Sequence, residues 1–341
     1  MRSELESRPI PNRILNGLEL SHSPECYLAA LDAVLRYNGD VDGILVNYQL
    51  GFCYWPSPRK EEPAVIAAFE KGEPERMIAA VSGIDIRWST DTIWERLLAA
   101  VAVSLNHGQP LMVLVDTFFL TQFSKRKGHL PHAVLIYGYD SAKDRFCLKS
   151  AVPYDWEMRV DDFRPACQSR SIAGGLPITW IEFGFPPQKK QLIAVSDLLQ
   201  HAVTNMTKTS PSASSMTGIM GMKQFAQDFA KDSDMAPAKF ESVCRALGQM
   251  TPSIFHQRRR FVMFLTKVLG ESDDLCRRYS HLATQWEIFA NACLKLGFVD
   301  TPNLRQRITD RLKALVYEEE RALQLVEEKS RLVKTVCVQG A

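Results

Sequence analysis

Apolar positions along this chain follow two periods, and the change from one to the other divides it. In CYLAALDAVLRYNG (26–39), Leu28, Leu31 and Leu35 share one helical face with Val34 beside them, and Asn38-Gly39 supplies a stop. The same period predicts helices around 62–72 and at 91–106, the second opened by Ser89, Thr90 or Asp91 as its cap. PLMVLVDTFFL (110–120) is apolar and β-branched enough for a buried strand. HAVLIYGYD (132–140) and DRFCLKS (144–150) flank the polar turn DSAKD and read as a β-hairpin, and ITWIEFGF (178–185) as one more strand. A helix followed by antiparallel strands is α+β in character.

GFPPQKKQ (184–191) breaks that pattern and marks the domain boundary, giving an α+β domain over 1–188 and an all-α domain over 189–341. Beyond it, helical periods fill 191–206, 217–231, 236–249, 253–269, 274–296 and 302–334. TKTSPSASSMTG (207–218) is a Ser/Thr-rich loop, expected to be mobile. The last helix carries Leu304, Ile308, Leu312 and Leu315 on one stripe that needs a partner surface, so self-association through the C-terminal helices is an expectation. No internal repeats are present.

A length of 341 residues accommodates two compact domains. No apolar run approaches a membrane span, and MRSELESRPIPNR lacks the apolar core of a signal peptide, so a cytoplasmic protein without membrane or nucleic-acid partners is expected. Charge is uneven. Residues 1–188 carry 19 Lys+Arg against 23 Asp+Glu, which is −4, and residues 189–341 carry 22 against 16, which is +6. The basic half suits an acidic partner through QRRRF (257–261), with SKRK (124–127) as a second basic run; each reads equally as solvated surface. The eight cysteines show no zinc-site spacing and, in a reducing compartment, are expected to be buried thiols unless their surroundings say otherwise.

Cys26 has such surroundings. Ser23 is a good N-cap and Pro24 suits the first helical position, which puts Cys26 in the first turn as about the third helical residue. Free N–H groups and the helix dipole there favour a thiolate, the nucleophilic form, and also an oxyanion on an attacked carbonyl. Glu25 works against ionisation. The competing reading is a small buried residue opening a core helix.

A thiol nucleophile needs a base, and His132, at the start of a buried strand, is held rigidly enough to serve. His129 and His132 form H-x-x-H, but a proline intervenes and the side chains diverge, so no metal is expected. His22 lies four residues before Cys26 and is placed, with His129, as lining the same cleft. Asp116 interrupts an apolar strand and either binds an amine or braces the sheet. Tyr54 and Trp55 either cover a bound acyl chain or belong to ordinary core.

These residues carry a family resemblance. HSPECYLAALDAVLRYNG (22–39), QLGFCYW (49–55), and PLMVLVDTFFL followed by HLPHAVLIYGYD (129–140) resemble the papain-like domain of the butirosin-biosynthesis acyltransferases of BtrH type. GIMGMKQFAQDFA (218–230), RRRFVMFL (258–265) and ATQWEIFANA (283–292) are similar to the helical domain that accompanies it. The resemblance implies a papain-like helix-plus-antiparallel-sheet fold, a catalytic cysteine at Cys26 and a catalytic histidine at His132. It also implies transfer of an acyl or aminoacyl group from the phosphopantetheine thioester of a carrier protein to a small-molecule amine, with no metal or redox cofactor. Two parts of such a site are missing: no glutamine precedes Cys26, and the position of the orienting aspartate falls near Lys149 or Ser150. Ser150 or Asp155 is left to orient the imidazole. A thioesterase or cyclase, and a non-catalytic carrier-binding module, remain as alternatives.

Overall fold

A computed structural model describes residues 9–20, 25–40, 43–57, 64–120, 128–151, 154–171, 177–186, 192–208, 215–232, 235–296, 298, 301–333 and 337–339. In chain order they form β1 (Arg13–Ile14), α1 (Cys26–Tyr37), α2 (Ile44–Asn47), β2 (Cys53–Trp55), β3 (Val65–Ala67), α3 (Glu73–Ser82), β4 (Asp85–Asp91), α4 (Trp94–Asn106), β5 (Leu111–Asp116), β6 (Pro131–Asp140), β7 (Arg145–Ser150) and β8 (Tyr154–Arg159). There follow α5 (Val160–Cys167), β9 (Ile178–Gly184), β10 (Leu192–Ala194), α6 (Val195–Thr207), β11 (Met216–Thr217), α7 (Gly218–Asp232), α8 (Pro237–Met250), α9 (Pro252–Leu269), α10 (Asp274–Leu296), α11 (Pro302–Leu332) and β12 (Cys337–Gln339). The architecture is α+β followed by a helical region.

The chain divides into two compact units: Met1–Gly43 with Ser82–Gln191 and Gly340–Ala341, and Ile44–Val81 with Leu192–Gln339. The single cut expected at 188/189 is therefore not how the described residues cluster, because 44–81 packs with the helical region.

The first unit is built on an antiparallel sheet of order β4-β9-β5-β6-β7-β8, with β1 on the far end of β6. One face buries Val113, Val115, Val134, Ile136, Phe146 and Leu148 against Leu97, Val101 and Leu105 of α4 and Phe163 of α5. The residues of opposite parity, Met112, Ala133, Leu135 and Cys147, are buried as well, and α1 runs against β6 and β7. The hairpin of β6 and β7 matches the sequence pattern. β4, β8 and α5 were not expected. β4 is an edge strand with no buried residue, so it lacks an apolar alternation. Its last residue, Asp91, accepts hydrogen bonds from the N–H groups of Thr92 and Ile93 at 2.7 and 2.9 Å, and α4 starts only at Trp94.

In the second unit, each backbone carbonyl of the Gln49–Phe52 stretch meets a donor from far along the chain. Gln257 Nε2 donates to Gln49 O, Asn205 Nδ2 to Leu50 O, Arg258 Nη1 to Gly51 O, and the Gly218 N–H to Phe52 O, at 2.9, 2.6, 2.8 and 2.8 Å. The Phe52 ring stacks on Trp286, and Phe225, Phe229 and Phe289 continue the aromatic core. Buried backbone polar groups must be paired, so these bonds tie 44–81 to the helical region. The helix expected at 62–72 is not seen over its described residues: the apolar run at 65–67 is β3, paired with β2, and α3 begins after Gly72, whose φ is +76°. The stripe of α11 is buried at Ile308, Leu312 and Leu315 against helices of the same unit, which removes the physical reason given for self-association.

Candidate active site

Helix α1 opens at Cys26, with Glu25 in an extended conformation as a cap whose side chain makes no capping hydrogen bond. Cys26 is thus the first helical residue rather than about the third. Ser21–Pro24, and His22 with them, lie outside the described residues. The helix forms because Leu28 through Leu35 are all buried; that burial, rather than a capping side chain, sets where it starts. The Ala133 N–H donates to Cys26 Sγ at 3.5 Å, so the sulfur lies against the His132–Ala133 peptide at the start of β6. Burial pushes the Cys26 thiol above its ordinary value, against the opposing pull of the N–H groups of Ala133, Tyr27 and Cys26 itself. The easily ionised thiol expected from the helix N-terminus is therefore corrected: the donors are present, but desolvation outweighs them and the resting sulfur carries its proton.

His132 is the second residue of β6, opposite Val115 of β5. Across the other edge, Leu135 pairs with Lys149, which brings Ser150 to the level of Val134, two residues beyond His132 and on the same face. His132 Nε2 and Ser150 Oγ are hydrogen-bonded at 2.6 Å, and Ser150 is wholly buried. Asp155 does not share this position. It pairs with Lys149 across β7 and β8, and strand alternation puts both on the face opposite Ser150. Lys149 Nζ lies 3.4 Å from Asp155 Oδ1 and also donates to Leu18 O at 2.6 Å. Of the two orienting candidates, the fold brings only Ser150 to the imidazole, because a one-residue step along a strand reverses the face.

A second cluster occupies the same end of the sheet. Asp116 ends β5, pairs with Pro131, and is fully buried. Its Oδ1 accepts from the Phe118 N–H at 3.0 Å, and its Oδ2 accepts from Ser169 Oγ at 2.5 Å and meets His129 Nδ1 at 2.7 Å. Burial alone would raise this carboxyl. The hydrogen bonds from Ser169, His129 and Phe118 outweigh it and hold Asp116 below its ordinary value. The His129 ring is stacked on Phe118 at 4.3 Å. Ser169 escaped sequence reading: it lies 53 residues from Asp116 and follows the unexpected helix α5, so only the tertiary fold pairs the two.

Tyr54 and Trp55 belong to the second unit. Tyr54 is buried in β2, donates its hydroxyl to Asp228 Oδ2 at 3.0 Å and packs on Phe225, and Trp55 pairs with Val65. Tyr54 is therefore core, not pocket wall. Glu73 and burial, the latter first, hold the Cys53 thiol far above its usual range. In QRRRF, Arg258 and Arg260 are buried and Arg259 pairs with Glu287 at 2.7 Å, so the run is not a basic docking face. SKRK lies outside the described residues. Among the described residues no group of three or more His, Cys, Asp or Glu could hold a metal ion, and no helix is long and apolar enough to cross a membrane.

No curated protein matches the chain. A family model described as "Butirosin biosynthesis protein H, N-terminal" matches residues 25–149, a stretch that begins one residue before Cys26 and includes Asp116, His129 and His132. The sulfur, the imidazole and the buried carboxylate all lie inside the stretch that is similar to this family.

Proposed function

We propose that this protein is an acyl- or aminoacyltransferase of natural-product biosynthesis, in the manner of the antibiotic pathway named by that family. Cys26 takes the acyl group from a carrier protein's phosphopantetheine thioester and passes it to an amine. The observation that supports this reading most is the seat of the sulfur. Cys26 Sγ lies at a helix N-terminus and receives the N–H of Ala133, the residue after His132, and His132 Nε2 is hydrogen-bonded to Ser150 Oγ.

In the tautomer whose Nε2–H donates to Ser150, Nδ1 carries the lone pair and is the nitrogen that takes the thiol proton as sulfur attacks the thioester carbonyl. Backbone N–H groups of the first turn of α1 receive the developing oxyanion. The carbon–sulfur bond to pantetheine breaks, and His132 returns the proton to the departing thiolate. This chemistry calls for no metal or redox cofactor. A raised thiol makes the base indispensable: free thiolate is scarce, so attack and proton removal must coincide.

The test is intact-mass measurement after incubation with acyl carrier protein. The expected result is a mass gain equal to the acyl group, absent in Cys26→Ala and strongly reduced in His132→Ala. Product analysis with and without an amine separates a transferase from a thioesterase or cyclase. Carrier binding with no mass gain in the wild type would leave a non-catalytic binding module, the reading that the upward shift of the thiol favours.

A further inference from the structure

Resting on the transferase reading, the geometry points to His129, backed by Asp116, as the catalytic base that takes a proton from the acceptor amine in the second half-reaction. Nothing in the acylation step uses this pair, yet it is assembled at the same strand end. Asp116 pairs with Pro131, one rung from Val115 and His132, and the sulfur rests on the next peptide of the same strand.

The arrangement is that of an oriented base. Asp116 is buried at 0% exposure while the His129 side chain is 32% exposed, so the carboxylate is sealed and the imidazole is reachable. Asp116 Oδ2 engages Nδ1 at 2.7 Å, which directs the ring proton to Nδ1 and leaves Nε2 as the nitrogen with the lone pair. Ser169 and the Phe118 N–H fix the carboxylate in turn, and Phe118 covers one face of the ring. His132 Nε2 meets the Ser150 hydroxyl.

Proton counting explains why a second base is useful. An aliphatic amine reaches the enzyme as R–NH3+. His129 Nε2 removes one proton, giving a neutral amine and an imidazolium that faces Asp116. The amine lone pair forms the C–N bond to the acyl-Cys26 carbonyl. The nitrogen then gives its second proton to His132, the C–S bond breaks, and His132 passes that proton to the Cys26 thiolate. His129 releases the first proton to solvent. Amide, thiol and one proton are the products, and charge balances. Attack by water on the same acyl-enzyme requires no prior loss of an ammonium proton. The pair therefore marks the acceptor as an amine that arrives protonated, with Asp116 as a positioning residue.

The experiment uses the full chain, S-acetyl-pantetheine as donor and ethanolamine as acceptor, with acyl-enzyme and amide followed separately by mass. In His129→Gln the acetyl-Cys26 adduct is expected to form at the wild-type rate, while its transfer to ethanolamine falls about 100-fold or more, the usual scale of general-base catalysis. In His129→Ala, added imidazole is expected to restore transfer without altering acylation, a rescue that a purely structural role would not show. Wild-type transfer in His129→Gln, or equal loss of acylation and transfer with no imidazole rescue in His129→Ala, overturns the inference. If the wild type forms no adduct at all, the transferase reading itself fails and takes this one with it.

Discussion

At Cys26, donors and burial oppose each other, and the balance has a direct consequence. Because burial raises the thiol despite three nearby N–H groups, iodoacetamide should alkylate Cys26 slowly at neutral pH, with the rate climbing only above the ordinary thiol range. A midpoint below that range would contradict the desolvation account. Asp116 illustrates the opposite balance. Replacing it by Ala leaves Ser169, His129 and the Phe118 N–H without their acceptor, and the expected loss is about 3 kcal/mol in urea unfolding at neutral pH. Its folded carboxyl lies below the unfolded value. Its contribution is therefore complete above the ordinary carboxylate range and disappears as pH falls through the lowered one. The gap between wild type and Asp116→Ala should narrow in acid; a gap that is flat with pH would mean the carboxylate's charge contributes nothing. Cys26 and His132 were legible as candidates from residue type and local pattern. Ser169 was not, since nothing near it in sequence refers to Asp116.

Single elements owe their form to different causes. α1 carries a clean helical stripe, and its face is buried throughout. The apolar run at 62–72 also carries a helical spacing, yet pairing with β2 makes part of it β3, since short apolar segments satisfy either period. The junction before α7 depends on Gly218, with φ at +59° and an added Cβ that would collide with the Met206 carbonyl. Both the dihedral and the backbone contact exclude a side chain there. Gly218→Ala should therefore destabilise the protein by well over 1 kcal/mol, read as a lowered denaturation midpoint. An unchanged midpoint would show that the turn relaxes freely.

For the whole molecule, the consequential feature is that 44–81 and 192–339 form one unit. Arg258 is central to it: its Nε bonds Glu319 at 2.8 Å, its Nη1 reaches Gly51 O, and Trp286 Nε1 donates to the same Glu319 oxygen at 2.7 Å. Both charges are essentially unexposed. Glu319→Ala strands the guanidinium and should cost about 3–5 kcal/mol, whereas Arg258→Met combined with Glu319→Leu should cost less than Glu319→Ala alone. Chemical unfolding of the two variants decides the order. A fragment limited to 192–339 lacks the carbonyls of Gln49–Phe52, and circular dichroism should show it without a cooperative thermal transition.

The amino-acid sequence by itself determined what depends on neighbours in the chain. The helical stripes of α1 and α6–α11, the β6–β7 hairpin and the reactive residue types at 26 and 132 are of this kind, because periodicity and turn chemistry act over a few residues. Tertiary structure decided what depends on contacts between distant segments. It placed Ser150 rather than Asp155 at the imidazole, joined Asp116 to His129 and Ser169, committed Tyr54 to the core, and bound 44–81 to the helical unit. Each of these turns on strand register or on the partner a buried polar group finds, and neither is set until the whole chain has closed around it.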